Sequence, residues 1–113
     1  LCSTTAAATA EDDVFTQVIW RGVRAKLLAG EGRCAEAEAL ARGAVERAAE
    51  TDLLSLQGDG MLDLAEVLAK CSHPQACGEA LRAALRRYEQ KGNVVAAARA
   101  RALLQEHEHE EEV

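Results

Sequence analysis

Aromatic residues are scarce in this sequence of 113 residues, where Phe15, Trp20 and Tyr88 make up only 3%. Proline occurs once, at Pro74, and isoleucine, a typical strand residue, also occurs once. Alanine and leucine, which have the best intrinsic helix propensities, are abundant instead. The composition therefore disfavours a β-rich fold, and we predict an all-α protein whose small side chains let the helix backbones approach closely.

Long apolar runs are also missing, since no segment reaches the ~18 consecutive apolar residues of a membrane span. The first ten residues lack the charged and apolar regions of a signal peptide. We therefore expect a cytoplasmic protein without a membrane partner, in which the four cysteines are free thiols. Because the sequence begins with Leu1 rather than Met, we expect either missing residues or a piece of a larger protein.

The formal charge of −6 comes mostly from the C-terminal stretch "EHEHEEEV", and the rest of the chain is nearly neutral. One basic stretch holds Arg82, Arg86, Arg87, Lys91, Arg99 and Arg101. A surface that binds nucleic acid needs aromatic residues interleaved with such basic side chains, and only Tyr88 is available in this stretch. We predict a solvated basic face and no nucleic-acid partner.

The sequence repeats itself at an offset of 40 residues. Identical residues then fall on one another in the pairs Ala25 and Ala65, Leu28 and Leu68, Ala29 and Ala69, Arg42 and Arg82, Ala44 and Ala84, and Arg47 and Arg87. A repeat of this length with two helical patterns per unit is typical of a helical solenoid.

Apolar spacing and turn residues predict five helices, at about residues 12–29, 34–50, 52–70, 74–90 and 94–106. Pro74 suits the first turn of the fourth helix, and Asn93 can cap the fifth. We expect a flexible segment over residues 1–11, a helical repeat domain over residues 12–106 and an acidic tail over residues 107–113. Within the helical repeat domain, the two repeats cover about residues 12–50 and 52–91, and a closing helix covers residues 93–106.

Small residues recur where the two helices of each hairpin should meet. These positions are Ala25, Ala37, Ala44, Ala65, Cys77 and Ala84. Gly58 and Gly60 weaken the third helix in isolation, and we expect their value to be a close helix crossing.

The stretch "GRCAEAEALARGAVERA" resembles the second half of a tetratricopeptide repeat, with Gly32 in the turn and small residues at the two packing positions. The stretch "DLAEVLAK…HPQACGEALRAALRRYEQKGN" is similar to the next repeat, where Cys77 replaces the usual alanine. The resemblance covers roughly residues 14–104. It implies a right-handed solenoid of antiparallel helical hairpins that binds proteins or peptides.

A narrower resemblance rests on "TQVIWRGVRAKLLA", "DLLSLQGDGMLDLAEVLA" and "YEQKGNVVAAARARALL". These stretches are similar to the C-terminal repeat region of actinobacterial signalling proteins that combine an adenylate/guanylate cyclase domain with an ATPase module. The resemblance implies that this chain is a non-catalytic scaffold region, because no phosphate-binding "GxxxxGK[ST]" motif occurs in it.

The stretch "CSHPQAC" contains Cys71, His73 and Cys77 and suggests a metal-binding or redox site. A structural zinc site needs about four ligands in recognisable pairs, and no second pair matches this spacing. We favour turn and packing roles for these residues, no metal, no cofactor and no catalytic residue, and keep a small metal or redox protein as an alternative.

The first helix carries the candidate binding residues. Arg21 and Arg24 align with Met61 and Leu64, positions that the repeat expects to be apolar. They either pair with carboxylates such as Asp63 or line a groove with Met61 and Asp63 that binds a peptide or another domain of the same chain. A second possibility is a homodimer that forms through Phe15, Ile19 and Trp20. Polar residues on the fifth helix suggest that the other end of the array is closed.

Overall fold

Five α-helices form the part of the chain that this computed structural model describes, which comprises the backbone of residues 10–112 and the side chains of residues 14–109. In chain order they are α1 (Ala10–Gly30), α2 (Cys34–Ala49), α3 (Leu54–Lys70), α4 (Pro74–Lys91) and α5 (Val94–Glu112). Residues 10–112 contain no strand, so the all-α prediction is confirmed. Most predicted boundaries lie within two residues of the observed ones.

The C-terminal end differs from the prediction, because α5 continues to Glu112 and does not end near residue 106. The acidic stretch is therefore helical in its described part. Part of the reason is tertiary, since the ring of His107 lies against Gly78 of α4. A Cβ at Gly78 would stand 3.0 Å from Nε2 of His107, so the absent side chain makes room for the ring. Residues 1–9, most of the expected flexible segment, lie outside the described part.

Three of the four connections share one turn geometry. Their central residues are Gly32, Ser72 and Gly92, with φ of 85°, 62° and 80°. The N–H groups of Arg33, His73 and Asn93 donate to the carbonyls of Leu28, Leu68 and Tyr88, respectively. This pattern closes the end of a helix with a residue in the left-handed conformation. The first two turns are 40 residues apart, so the sequence repeat is also a repeat of backbone geometry.

Side-chain hydrogen bonds act at the end of α2 and at the start of α5. The hydroxyl of Thr51 donates to the carbonyl of Ala48 at 2.7 Å and accepts from the N–H of Leu53 at 3.1 Å, which delays the start of α3 to Leu54. The side-chain oxygen of Asn93 accepts from the N–H of Ala96 at 3.2 Å, so Asn93 caps α5 as predicted.

Each helix packs against the next, and α1 also packs against α3. The six small residues expected between the helices are all buried, with exposed fractions from 0% to 4%. Gly58 lies at a close approach to the ring of Tyr88, and Gly60 lies in ordinary contact with the backbone of Val45 in α2. Alanine and glycine thus set the spacing between helices, because larger side chains would hold the backbones apart.

None of the helices in the described part of the chain is both long enough and apolar enough to cross a bilayer.

Candidate functional site

The most distinctive surface is an apolar stripe on α1. Phe15, Ile19, Val23 and Leu27 follow one another every four residues and are between 46% and 64% exposed. Residues spaced by four lie on one side of a helix, so these four side chains form a continuous ridge. Trp20, also about half exposed, lies beside it. We call these five residues the α1 ridge. It contains the three residues expected to mediate self-association.

The internal repeat shows what such a face normally contacts. The positions in α3 that correspond to Trp20, Arg24 and Leu27 are Gly60, Leu64 and Val67, and all three are buried. The contrast is largest at the last pair, because Leu27 is 64% exposed and Val67 is 0% exposed. In α3 this face is covered by the hairpin of α1 and α2. No described residue covers the same face of α1.

Arg24 belongs to this exposed surface. Its guanidinium carbon lies 5.8 Å from the centre of the Trp20 ring, which is a cation–π distance. Arg24 was a predicted binding residue and Trp20 a predicted contact residue, and the structure brings the two together. The pair offers a flat aromatic surface and a cation beside an apolar ridge.

Arg21 has a different environment from Arg24. It is half-buried, and its Nη1 lies 3.6 Å from the point where a Cβ on Gly43 of α2 would stand. Its Nε is buried and finds no hydrogen-bond partner in the described part of the chain. Arg21 therefore lies in the contact between α1 and α2, where the absent side chain of Gly43 leaves room for it.

Asp63 faces α1, where the sequence had suggested Arg21 or Arg24 as its partner. Its Oδ1 instead pairs with Nζ of Lys26 at 3.0 Å, and its carboxylate lies against Gly22. Burial raises the pKa of Asp63 above its ordinary value, although Lys26 opposes the shift. The sequence did not predict Lys26 as the partner of Asp63, because the two residues lie in different helices. The 40-residue offset aligns Lys26 with Glu66 and not with Asp63.

Met61 lies on another side of α3. It lines a groove of about 230 Å³ between α2, α3 and α4, together with Arg42 and Val45. Residues two apart on a helix do not share a face, so Met61 and Asp63 point to different neighbours. The four residues predicted to form one groove, Arg21, Arg24, Met61 and Asp63, thus lie on different surfaces.

The cysteines correct the expectation of four free thiols. Cys34 and Cys71 form a disulfide with a Cα–Cα distance of 5.8 Å, which lies in the usual range. It joins the first residue of α2 to the residue that ends α3. The 40-residue offset places Cys34 on Pro74 and not on Cys71, so the sequence repeat gives no sign of this contact between two turns. Disulfides are rare in cytosolic proteins, and the bond counts against the expected cytoplasmic location.

The proposed metal or redox residues do not converge. Cys71 is bonded to Cys34, and Cys77 is a core residue that is 4% exposed. His73 is exposed, with its Nε2 4.0 Å from Glu38. Within the described residues, no three groups of the metal-ligating types cluster. The structure therefore separates the ligand set that the alternative function requires.

Comparisons of the chain with protein-family models, curated proteins and solved structures found no match. The resemblances to tetratricopeptide repeats and to cyclase-associated signalling proteins therefore stay predictions. Within the described residues, fold and surface together define an all-helical protein with an uncovered apolar face on α1.

Proposed function

We propose that this chain is a non-catalytic protein-binding module built from tetratricopeptide-like helical hairpins. The observation that carries the proposal is the exposure of the α1 ridge, whose counterpart in α3 is covered by a neighbouring hairpin. The repeat in sequence and turn geometry supports the solenoid arrangement, and the α1 ridge supplies the binding surface.

Covering the α1 ridge with a partner is energetically favourable. Burying apolar surface gains roughly 25 cal/mol per Å², and five large side chains stand about half exposed on one helix. Trp20 and Arg24 are of the residue types that most often dominate binding energy at interfaces.

The partner is a protein surface or an amphipathic helix, on the same polypeptide or on another. The further idea, that the chain is the scaffold region of a multidomain signalling protein, rests on the sequence resemblance alone. We do not extend the proposal to a cytoplasmic location, because the disulfide between Cys34 and Cys71 is of a kind that is rare in the cytosol.

Site-specific photo-crosslinking in the native host tests the proposal. A photoreactive residue is placed at Val23 on the ridge and, as a control, at Gln90, an exposed position on α4. We expect a discrete protein adduct from position 23 and none from position 90. Adding Arg24→Ala should reduce the adduct without changing helical content. Equal adducts from both positions, or none from position 23, would count against the α1 ridge as a binding surface.

A further inference from the structure

The α1 ridge matches a copy of itself. A row of side chains spaced by four is the element that interlocks when two helices pack in the commonest crossing class. If two α1 helices run antiparallel about a twofold axis near Ile19, Phe15 of each copy lies opposite Val23 of the other. Large apolar side chains then face each other along the contact.

The structure argues against another hairpin stacking on α1 as the first hairpin stacks on α3. In α3 this hairpin lies against Gly60, where an added Cβ would stand 3.7 Å from the Cα of Val45. The corresponding residue in α1 is Trp20, whose indole ring cannot fit into that space. The next equivalent position carries Arg24 in place of the buried Leu64. A partner must therefore dock around Trp20 in a different geometry.

Charge along α1 favours an antiparallel copy. Asp13 precedes Arg24 by eleven residues, about three helical turns, so the two backbone positions have the same angular orientation. Their midpoint falls between residues 18 and 19, close to the axis that pairs Phe15 with Val23. In an antiparallel pair, position 24 of each copy is thus adjacent to position 13 of the other. A parallel pair in register would align like charges.

We propose that the α1 ridge binds a second copy of this chain, which forms an antiparallel, twofold dimer. The contact is isologous, because the same surface is used by both copies. The inference rests on the proposed function, since it names the partner of the same protein-binding surface.

Sedimentation velocity and native mass spectrometry on the full chain, across a concentration series, test the dimer. The wild type should be dimeric, and Val23→Glu should be monomeric because it places two charges within the apolar contact. The matched control is Val95→Glu on α5, at a site 83% exposed and outside the ridge, which should stay dimeric. Far-UV circular dichroism checks that all three keep their helical content.

A wild type that stays monomeric throughout the concentration series overturns the dimer. So does a Val23→Glu variant that still dimerises. Neither result removes the proposed function, which fails if position 23 crosslinks to no protein or if positions 23 and 90 give equal adducts. A monomer that crosslinks to a different protein assigns the ridge to that partner.

Charge exchange tests the antiparallel register. Arg24→Asp should raise the dimer dissociation constant about tenfold or more, because it sets like charges against each other. Asp13→Arg combined with Arg24→Asp should recover most of that loss, since it returns opposite charges to the two adjacent positions, although the contact of Arg24 with Trp20 stays lost. A double variant as weak as Arg24→Asp overturns the register.

Discussion

The ring of Tyr88 lies directly against the backbone of Gly58, so close that a Cβ on Gly58 would stand 2.7 Å from two ring carbons. The ring is 1% exposed, and its hydroxyl donates to Oδ1 of Asp59 at 2.5 Å. Burial and the neighbouring carboxylate raise the pKa of Tyr88, so the hydroxyl stays a donor at neutral pH. α3 and α4 are therefore fixed to each other by a contact that only glycine permits.

Gly58→Ala should destabilise the protein. Alanine favours the helix by about 1 kcal/mol, but overpacking against a ring that cannot move costs about 1–3 kcal/mol. We expect a net loss of about 1 kcal/mol in the free energy of unfolding, measured by urea denaturation.

Gly43→Ala and Gly60→Ala are the matched controls. Their nearest atoms outside the helix would lie 3.6 Å and 3.7 Å from the new Cβ, which are ordinary contact distances. Both variants should gain up to about 1 kcal/mol from helix propensity. A loss of stability shared by all three variants would contradict a special contact at Gly58.

Ser72→Gly should stabilise the protein, because Ser72 has a φ of 62° in a turn whose two counterparts are glycines. A left-handed conformation costs a residue with a side chain roughly 1 kcal/mol, and glycine avoids that cost. Gly92→Ala, at a φ of 80°, should show the opposite sign with a similar size. Thermal denaturation measures both, and a destabilised Ser72→Gly would show that the serine side chain supports the turn.

Reduction of the disulfide between Cys34 and Cys71 should lower stability. The two residues are 37 apart, and a closed loop of that length contributes about 4 kcal/mol in the chain-entropy model. The double variant Cys34→Ser and Cys71→Ser should unfold like the reduced protein and be insensitive to reductant.

The control is Cys77→Ala, which should still respond to reductant as the wild type does. Thiol titration of the denatured, unreduced protein gives a direct check, because reactive Cys34 and Cys71 would show that the bond does not form.

Asp63→Asn should change how stability depends on pH. A carboxyl whose pKa is higher in the folded chain holds its proton more tightly there, so its contribution to stability falls as the pH rises from below 3.8 through the raised pKa. We expect the variant to match the wild type near pH 3 and to exceed it at pH 7 by less than about 1 kcal/mol. Urea titrations at both values measure this. A variant that is less stable than the wild type at pH 7 would mean that the ion pair with Lys26 stabilises the protein by more than the burial of the charged Asp63 costs.

Local signals in the sequence predicted most of the helix boundaries. Pro74, Asn93 and the glycines of the turns act within a few residues, so their effects can be read without the fold. The continuation of α5 to Glu112 was missed because His107 packs against Gly78, a contact between residues far apart in the chain.

The candidate site was predicted only in part. Phe15, Ile19 and Trp20 are exposed on α1, and Val23 and Leu27 extend the same ridge at a spacing of four that the sequence already contains. The groove of Arg21, Arg24, Met61 and Asp63 was assembled from alignment alone, and alignment does not say which neighbour each side of a helix contacts.

By itself the sequence determined that the chain is helical, where its turns lie and that it repeats every 40 residues. These properties follow from propensity, turn chemistry and periodicity, which act locally. Only the tertiary structure decided that Cys34 bonds to Cys71, that Lys26 pairs with Asp63 and that the apolar face of α1 stays uncovered. Each of these depends on which helices meet, and at what distance, because side chains far apart in sequence interact only after the helices have packed.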